Sequence, residues 1–327
     1  MTTQPPTLGV LIAARDAAAT IGAAVASALA DPLVTEVVLV DDASTDGTAA
    51  AAAAAGGGDA RLRILTLPRN LGPAGARNRA IEASSADALA LLDGDDRFLP
   101  GRVAPLLGQD GWDLVADNVV FVTDPERPLP PAVREVGAGR FERLTLTEFV
   151  QGNLVRQGRS RGEYGFLKPL MSRGFLARHG LRYDEGLRLG EDYDLYVRAL
   201  MAGGRFLLTR RPGYLALVRP DSLSSRHGTG DLAALAAATR SHLRGPSLGP
   251  EERAAMRRLL RQQEAKHAHR AVLDVRGRQG IPAALRAMLA RPAWIAPVSA
   301  GLLRDKLAPP RPPIVPAEGY RLLLPLD

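Results

Sequence analysis

The chain has 327 residues, 46% of them hydrophobic, which is enough to bury a full core in one large domain plus a smaller appendage and excludes a disordered or fibrous chain. It holds no cysteine, so disulfide frameworks, thiolate zinc sites and cysteine nucleophiles are excluded, and any metal must sit on oxygen or histidine ligands. The formal charge is +7, and twelve Lys or Arg against five Asp or Glu between Glu251 and Lys306 match the whole surplus, a balance suited to a phosphate-rich surface or to a solvated helical face.

The opening MTTQPPTLGVLIAARD has no basic leader before its apolar run, so no secretory signal is expected, and no uncharged apolar stretch approaches the roughly 18 residues of a membrane span. A cytoplasmic protein is expected, soluble or peripheral on a membrane. Leu8 to Ala14 is a continuous apolar run of strand length, followed by an alanine-rich helical stretch to Ala30 and a second run, Glu36 to Val40. A helix from about Thr48 through poly-alanine ends at Gly56, Gly57 and Gly58, and Leu62 to Leu67 reads as a third strand. A loop from Pro68 to Gly75, a helix around Ala76 to Ala83 and a fourth strand, Ala88 to Leu92, follow. Strands alternating with helices predict a mostly parallel α/β sheet whose ligands bind beyond the carboxyl ends of the strands. From Asp113 to Arg143 the chain reads as irregular and proline-rich. Leu144 to Leu154 reads as helical, and Gly180 to Arg205 as a charged loop and an amphipathic helix. The boundary of the first domain is expected at residue 226, with a helical extension over 227–327 that ends in a proline-rich extended tail, Pro309 to Pro316.

Three acidic clusters stand where strands end or helices begin. In the first, Asp42, Ser44, Asp46 and Gly47 imitate the start of a calcium loop, but the twelfth position is Ala53 where a bidentate glutamate is required, so calcium is excluded. Ser44 or Asp46 is expected to cap the alanine-rich helix. Capping leaves the adjacent Asp41 and Asp42 unexplained, and a carboxylate there can accept from a base N–H or a ribose hydroxyl. The second cluster is Asp93, Gly94, Asp95 and Asp96. Three carboxylates within four residues repel unless a cation or protons intervene, which suits Mg²⁺ or Mn²⁺ completed by substrate phosphates, and Gly94 permits close approach of a ligand. In the third, Glu191, Asp192 and Asp194 at a helix start complement the helix dipole and also offer a general base for an acceptor hydroxyl.

In order along the chain, the opening strand, VDDASTDGT, RNLGPAGARNRAIE, LDGDD and GEDYDLY resemble family 2 glycosyltransferases of the GT-A fold, from about Leu8 to Arg226. Ala116 to Asn118 (ADN), Gly165 to Leu170 (GFLKPL) and Gly180 to Tyr193 resemble the succinoglycan-type exopolysaccharide subgroup. The resemblance implies a Rossmann-like, mostly parallel sheet flanked by helices, with a nucleotide-sugar half to about residue 112 and an acceptor half over 113–226. It implies an inverting, metal-dependent transfer of a hexose, glucose first, from a UDP-sugar to a glycan or lipid-linked oligosaccharide acceptor. It also implies roles: Asp42 on the uracil, with Ala13, Arg15, Asp41, Ser44 and Gly94 around the nucleotide; Arg77 near the donor; Asp93 near ribose and metal; Asp95 as principal metal ligand; and Asp96 beside the sugar. Asp192 becomes the base, supported by Glu191.

Two positions depart from the family pattern. Arg15 stands where an aromatic often packs on the base, although a guanidinium can also stack. Leu217 stands where relatives carry a histidine that helps hold the diphosphate, so Arg219, Arg226 or His227 is expected to substitute. A dinucleotide oxidoreductase would need Gly-x-Gly-x-x-Gly after the first strand, and Ala13 to Ala18 has no glycine. A nucleotidyltransferase of similar architecture and a non-catalytic glycan-binding relative would share the same layered pattern of strands and helices. No nucleic-acid partner is expected. The basic C-terminal helices, with Trp294 in an apolar stretch between Arg291 and Arg304, suggest either peripheral contact with an anionic membrane or a helical brace on the catalytic domain.

Overall fold

The structure, a computed structural model, describes residues 6–134, 139–154, 164–219, 228–245, 248–307 and 315–326. They form two compact units, the first built from residues up to 145, 165–219 and those from 315 onward, the second from 146–164 and the residues between 220 and 313.

The first unit opens with β1 (Leu8–Ala14), α1 (Ile21–Leu29), β2 (Val34–Asp41), α2 (Thr48–Gly56), β3 (Leu62–Thr66), α3 (Gly72–Ala83) and β4 (Ala88–Asp93). It continues through β5 (Arg97–Phe98), α4 (Val103–Leu107), β6 (Leu114–Val122), α5 (Pro131–Arg134) and β7 (Phe141–Arg143). After α6 (Leu146–Gly152) of the second unit come β8 (Leu170–Ser172), α7 (Arg173–Arg178), α8 (Glu191–Met201) and β9 (Phe206–Leu217). The second unit adds α9 (Thr229–His242), α10 (Pro250–Leu289) and α11 (Pro292–Leu307), and β10 (Tyr320–Leu322) returns to the first.

The strands form one sheet in the order β3-β2-β1-β4-β8-β6-β9-β5, with β10 on β6 and β7 on β9. β3, β2, β1 and β4 are parallel, as their apolar runs predict, and β1 and β4 are almost wholly buried because helices cover both faces of such a sheet. Register positions the site. Ala14 lies opposite Asp41, and Ala13 opposite Asp93, so the first two acidic clusters leave the sheet level with one another at its carboxyl edge.

Six strands, β5 to β10, lie where none is expected from sequence, and β6 and β9 are the longest of them. β6 falls in the stretch read as irregular, yet all nine of its residues are buried. Its polar pair hid it: Asp117 is neutralised by Arg102, and the Asn118 amide is bonded to the carbonyls of Arg210 and Leu324. β9 contains Pro212, which cannot donate to a ladder, and the β6–β9 register shifts on either side of its partner Asn118.

The proline-rich tail, Pro309 to Pro316, lies outside the described residues except for Val315 and Pro316, and the residues that follow it return to the sheet. β10 pairs with β6, and Tyr320 and Leu322 pack on the buried cluster of Val120, Val122, Leu129, Val133 and Leu215. In the second unit α10 packs on α6, α9 and α11, around Ala268, Val272, Ala284 and Val298. α10 is broken at Gly280, whose φ of 81° an L-residue rarely adopts.

Candidate active site

The loops after β1 and β2 are laced together by short polar side chains. Asp16 and Ala43 both adopt positive φ, 48° and 56°, which non-glycine residues do at a cost that packing must offset. Ser44 Oγ accepts from Asp16 N–H at 3.0 Å, Asp16 Oδ1 accepts from Thr45 N–H at 2.8 Å, and Asp41 Oδ1 accepts from Ser44 N–H at 3.0 Å. Ser44 does not cap α2; Asp46, one residue before the cap, accepts from Thr48 N–H at 3.0 Å. Asp42 is buried, and its two oxygens accept from Leu71 and Gly72 N–H at 2.6 and 2.8 Å, which fixes the loop ahead of α3. Arg15 is exposed beside this loop set, with Nε 3.5 Å from Asp16 Oδ2.

Each carboxylate of the second cluster has a different environment. Asp96 is buried; Oδ2 accepts from the Tyr214 hydroxyl at 2.8 Å and Oδ1 from Leu217 N–H at 2.9 Å. The same Tyr214 oxygen accepts from Asp93 N–H at 3.0 Å, so one phenol on β9 ties the two ends of the cluster together. Burial, then the charges of Asp93 and Asp95, push the Asp96 carboxyl well above its ordinary range. Asp95 keeps more solvent contact and lies 2.8 Å from Arg219 Nη2; burial and Asp93 raise its carboxyl too. Gly94 is buried against β1 and α1 rather than open to a ligand, since a Cβ there would meet Ala14 and Ile21 at 3.2 Å.

Asp93, itself half-buried, closes a ring with three buried ions, Arg77, Lys168 and Asp192. Its Oδ1 accepts from Arg77 Nη2 and its Oδ2 pairs with Lys168 Nζ, both at 2.8 Å. Lys168 Nζ donates to Asp192 Oδ2 at 2.8 Å, and Arg77 Nη1 closes the ring 3.3 Å from Asp192 Oδ1 while donating to Glu191 Oε1 at 2.7 Å. Burial alone would raise the Asp93 carboxyl, but Lys168 and Arg77 outweigh it and hold it well below its ordinary range. For Lys168, burial that would lower the ammonium is outweighed by Asp192 and Asp93. Asp93 and its two cations therefore stay charged. Asp192 Oδ1 accepts no hydrogen bond among the described residues and has only the Arg77 ion pair at 3.3 Å, and because it is enclosed a hydroxyl reaches it only after a neighbouring side chain shifts.

The ring has its own support. Arg102, fully buried, pairs with Asp117, stacks on Phe98 and Tyr214 with its guanidinium carbon 4.3 and 5.2 Å from the ring centroids, and donates to the Lys168 carbonyl at 2.5 Å.

Thus Asp93, Asp95, Asp96, Arg77, Glu191 and Asp192 come together as one charged constellation, with Arg219 joining through Asp95. Arg226 and His227 lie outside the described residues. Sequence reasoning missed Lys168, Tyr214 and Arg102. A signal for Lys168 existed: only three of the forty-two basic residues are lysines, so one amid the apolar GFLKPL is unusual.

The model for glycosyl transferase family 2 matches residues 9–167. The succinoglycan biosynthesis protein ExoU of Rhizobium meliloti is 45% identical over 97% of this chain and 93% of its own length. The chain belongs to glycosyl transferase family 2. Another succinoglycan biosynthesis protein of that organism, ExoO, is 35% identical over 88% of this family 2 chain and 82% of its own length. The fold is that of GT-A glycosyltransferases. S. aureus TarS 1-349, solved with UDP-GlcNAc, superposes with a TM-score of 0.60 at 17% identity, over 90% of this chain and 80% of that one. Mannosyltransferase PcManGT of Pyrobaculum calidifontis, solved with GDP-Man and Mn²⁺, gives 0.56 at 17% identity, over 93% and 88%.

Proposed function

We propose that this family 2 glycosyltransferase moves a hexose, glucose first, from a UDP-sugar to a hydroxyl of a lipid-linked oligosaccharide, with inversion to a β-linkage. The step belongs to exopolysaccharide biosynthesis at the inner face of the plasma membrane. The observation that carries the reading is the ion ring, which holds one proton-accepting carboxylate, Asp192, two ion pairs away from the carboxylate cluster that receives the donor. The succinoglycan names of the two Rhizobium meliloti relatives support the pathway, and the UDP-GlcNAc in TarS supports the donor class.

The cluster fits a hard divalent ion on particular terms. Among the described residues no group of three or more acidic or histidine side chains forms a metal cage. Both oxygens of Asp93 and of Asp96 are engaged by protein donors, whereas Asp95 pairs through one oxygen with Arg219. One carboxylate completed by phosphate oxygens and water is how Mg²⁺ or Mn²⁺ is commonly held, and a cation there would offset the burial and the Asp93 charge that raise the Asp95 carboxyl. Bound at Asp95, the ion would neutralise charge growing on the leaving diphosphate. Asp93, kept ionised by Lys168 and Arg77, would add its charge near the ribose and the metal, and Asp96 would steady the cluster beside the sugar. Exposed Arg15 offers a plane for the base, while Asp42 holds the adjoining loop as a main-chain acceptor and reaches the uracil only if that loop yields. Arg219 transfers from Asp95 to the diphosphate. Asp192 takes the acceptor proton, with Glu191 bracing Arg77 against it.

Calorimetry with UDP, with and without Mn²⁺, tests the donor half: affinity independent of the metal rejects it. Asp95→Ala is expected to abolish the metal-dependent part. Asp192→Asn is expected to leave UDP affinity near wild type and to lower transfer by at least about 100-fold. Equal loss of UDP binding in both variants would mean that the roles are misassigned.

A further inference from the structure

Seven large hydrophobic side chains stand exposed among the described residues, and six of them lie between Ile281 and Leu307. In α10 beyond its break at Gly280, Ile281, Leu285 and Leu289 recur every four residues with 60, 49 and 63% of their surface open, so they share one face. In α11, Leu303 and Leu307 repeat the spacing at 58 and 72%. These stripes are not the edge of an incomplete core, because the inner sides of both helices are already packed: Ala284 and Val298 are buried, with Met288, Trp294 and Leu302 against them. Trp294 is turned to His267 at 5.7 Å between ring centroids and covered by the Arg291 guanidinium at 4.4 Å. Trp294 is half-buried, so the aliphatic residues present the more open surface.

Charge decides what covers them. From Arg276 to Leu307 there are six Lys or Arg, counting Arg276 itself, and a single acid, Asp305. A second copy docking face to face would bring these like charges together, whereas an anionic bilayer surface accepts both the cations and the aliphatic tips. No helix among the described residues is long and apolar enough to cross a membrane, so such a contact lies in the interface plane. We propose that α10 beyond Gly280 and α11 form a docking surface for anionic lipid, with Ile281, Leu285, Leu289, Leu303 and Leu307 entering the headgroup region. This deepens the membrane-associated reading above but rests on different residues from the transferase chemistry.

The test is co-sedimentation of the full chain with vesicles of phosphatidylglycerol or of phosphatidylcholine, with UDP affinity measured on the same samples so that failure of the donor site is seen separately. Wild type is expected to partition onto the anionic vesicles and to be released by salt. Combined Ile281→Ser, Leu285→Ser and Leu289→Ser, and separately Arg278→Gln with Arg286→Gln, should each weaken that partition by about tenfold or more while the melting temperature and UDP affinity hold. Equal partition onto both vesicles, no partition onto either, or variants that bind like wild type would overturn the proposal. So would light scattering that finds a wild-type dimer dissociated by the triple substitution, which assigns the face to a second copy.

Discussion

At the scale of single residues, the site is an arrangement of carboxylates whose differences are set by their neighbours. Asp93, Asp95 and Asp96 are nearly adjacent, yet two cations hold Asp93 ionised while burial and mutual repulsion push the other two toward neutrality. The acids themselves were legible in the sequence because clustered carboxylates at strand ends are costly and need a reason. Of the two cations, Arg77 was named from the sequence as well, but Lys168 was not, because it and the Arg102 that supports it reach the site from chain positions that no local pattern connects to it. Lys168 is the sharpest case. Replacing it by Met leaves Asp93 and Asp192 facing each other with only Arg77 between them, and breaking a buried pair this way costs about 3–5 kcal/mol. Lys168→Met is therefore expected to lower urea-unfolding stability by that order and to reduce kcat far more than the donor KM, since Asp192 loses the group that orients it. Lys168→Arg should recover much of the stability and little of kcat, because a planar fork cannot reproduce one ammonium 2.8 Å from both carboxylates. If kcat survives in Lys168→Met, the ring is structural only.

At the scale of elements, the first four strands were readable because each is a largely apolar run, continuous in β1 and β4 and broken only by Thr35 and Glu36 in β2 and Arg63 in β3, separated from the next by a helix. β6 and β9 were not, since buried polar groups and a proline interrupt their pattern, and only partners distant in sequence make those interruptions tolerable. Gly213 on β9 shows how tightly this half is closed. A Cβ there would stand 1.8 Å from Asp117 Oδ2 and 2.8 Å from Arg102 Cγ, with both atoms belonging to a pair that is almost wholly enclosed. Gly213→Ala must displace that pair and with it the guanidinium that holds the Lys168 carbonyl. A loss of about 3 kcal/mol or more is expected in denaturant unfolding, together with reduced transfer. Gly277→Ala, where nothing lies within 4 Å of the new methyl, should instead raise stability by up to about 1 kcal/mol, so a general intolerance of alanine is separated from this local clash.

At the scale of the whole molecule, reading the chain as a catalytic part followed by a helical part and a loose tail misses an exchange between the two units. α6 belongs with the C-terminal helices, and the last described residues return to the sheet. Neither event leaves a local signature, since a proline-rich segment looks the same whether or not a strand follows it. The return is well anchored. Leu323 and Leu324 are 1 and 5% exposed, Leu323 N–H donates to the Val119 carbonyl, and the fully buried Asn118 side chain both donates to the Leu324 carbonyl and accepts from its N–H. Deleting residues 315–327 would uncover one side of β6 and strip the Asn118 amide of its two bonds to Leu324, leaving it only the Arg210 carbonyl and Val119 N–H, each lost hydrogen bond costing about 1 kcal/mol. The expected outcome is a fall in melting temperature of several degrees or more with weakened UDP binding, even though no residue of the charged constellation is removed. Truncation near Gly230 would carry the same loss, so any role of the helices in lipid binding has to be judged by surface substitutions in the full chain. A deletion that melts like wild type and binds UDP normally would mean that β10 is an ornament on the sheet rather than part of what holds the site in place.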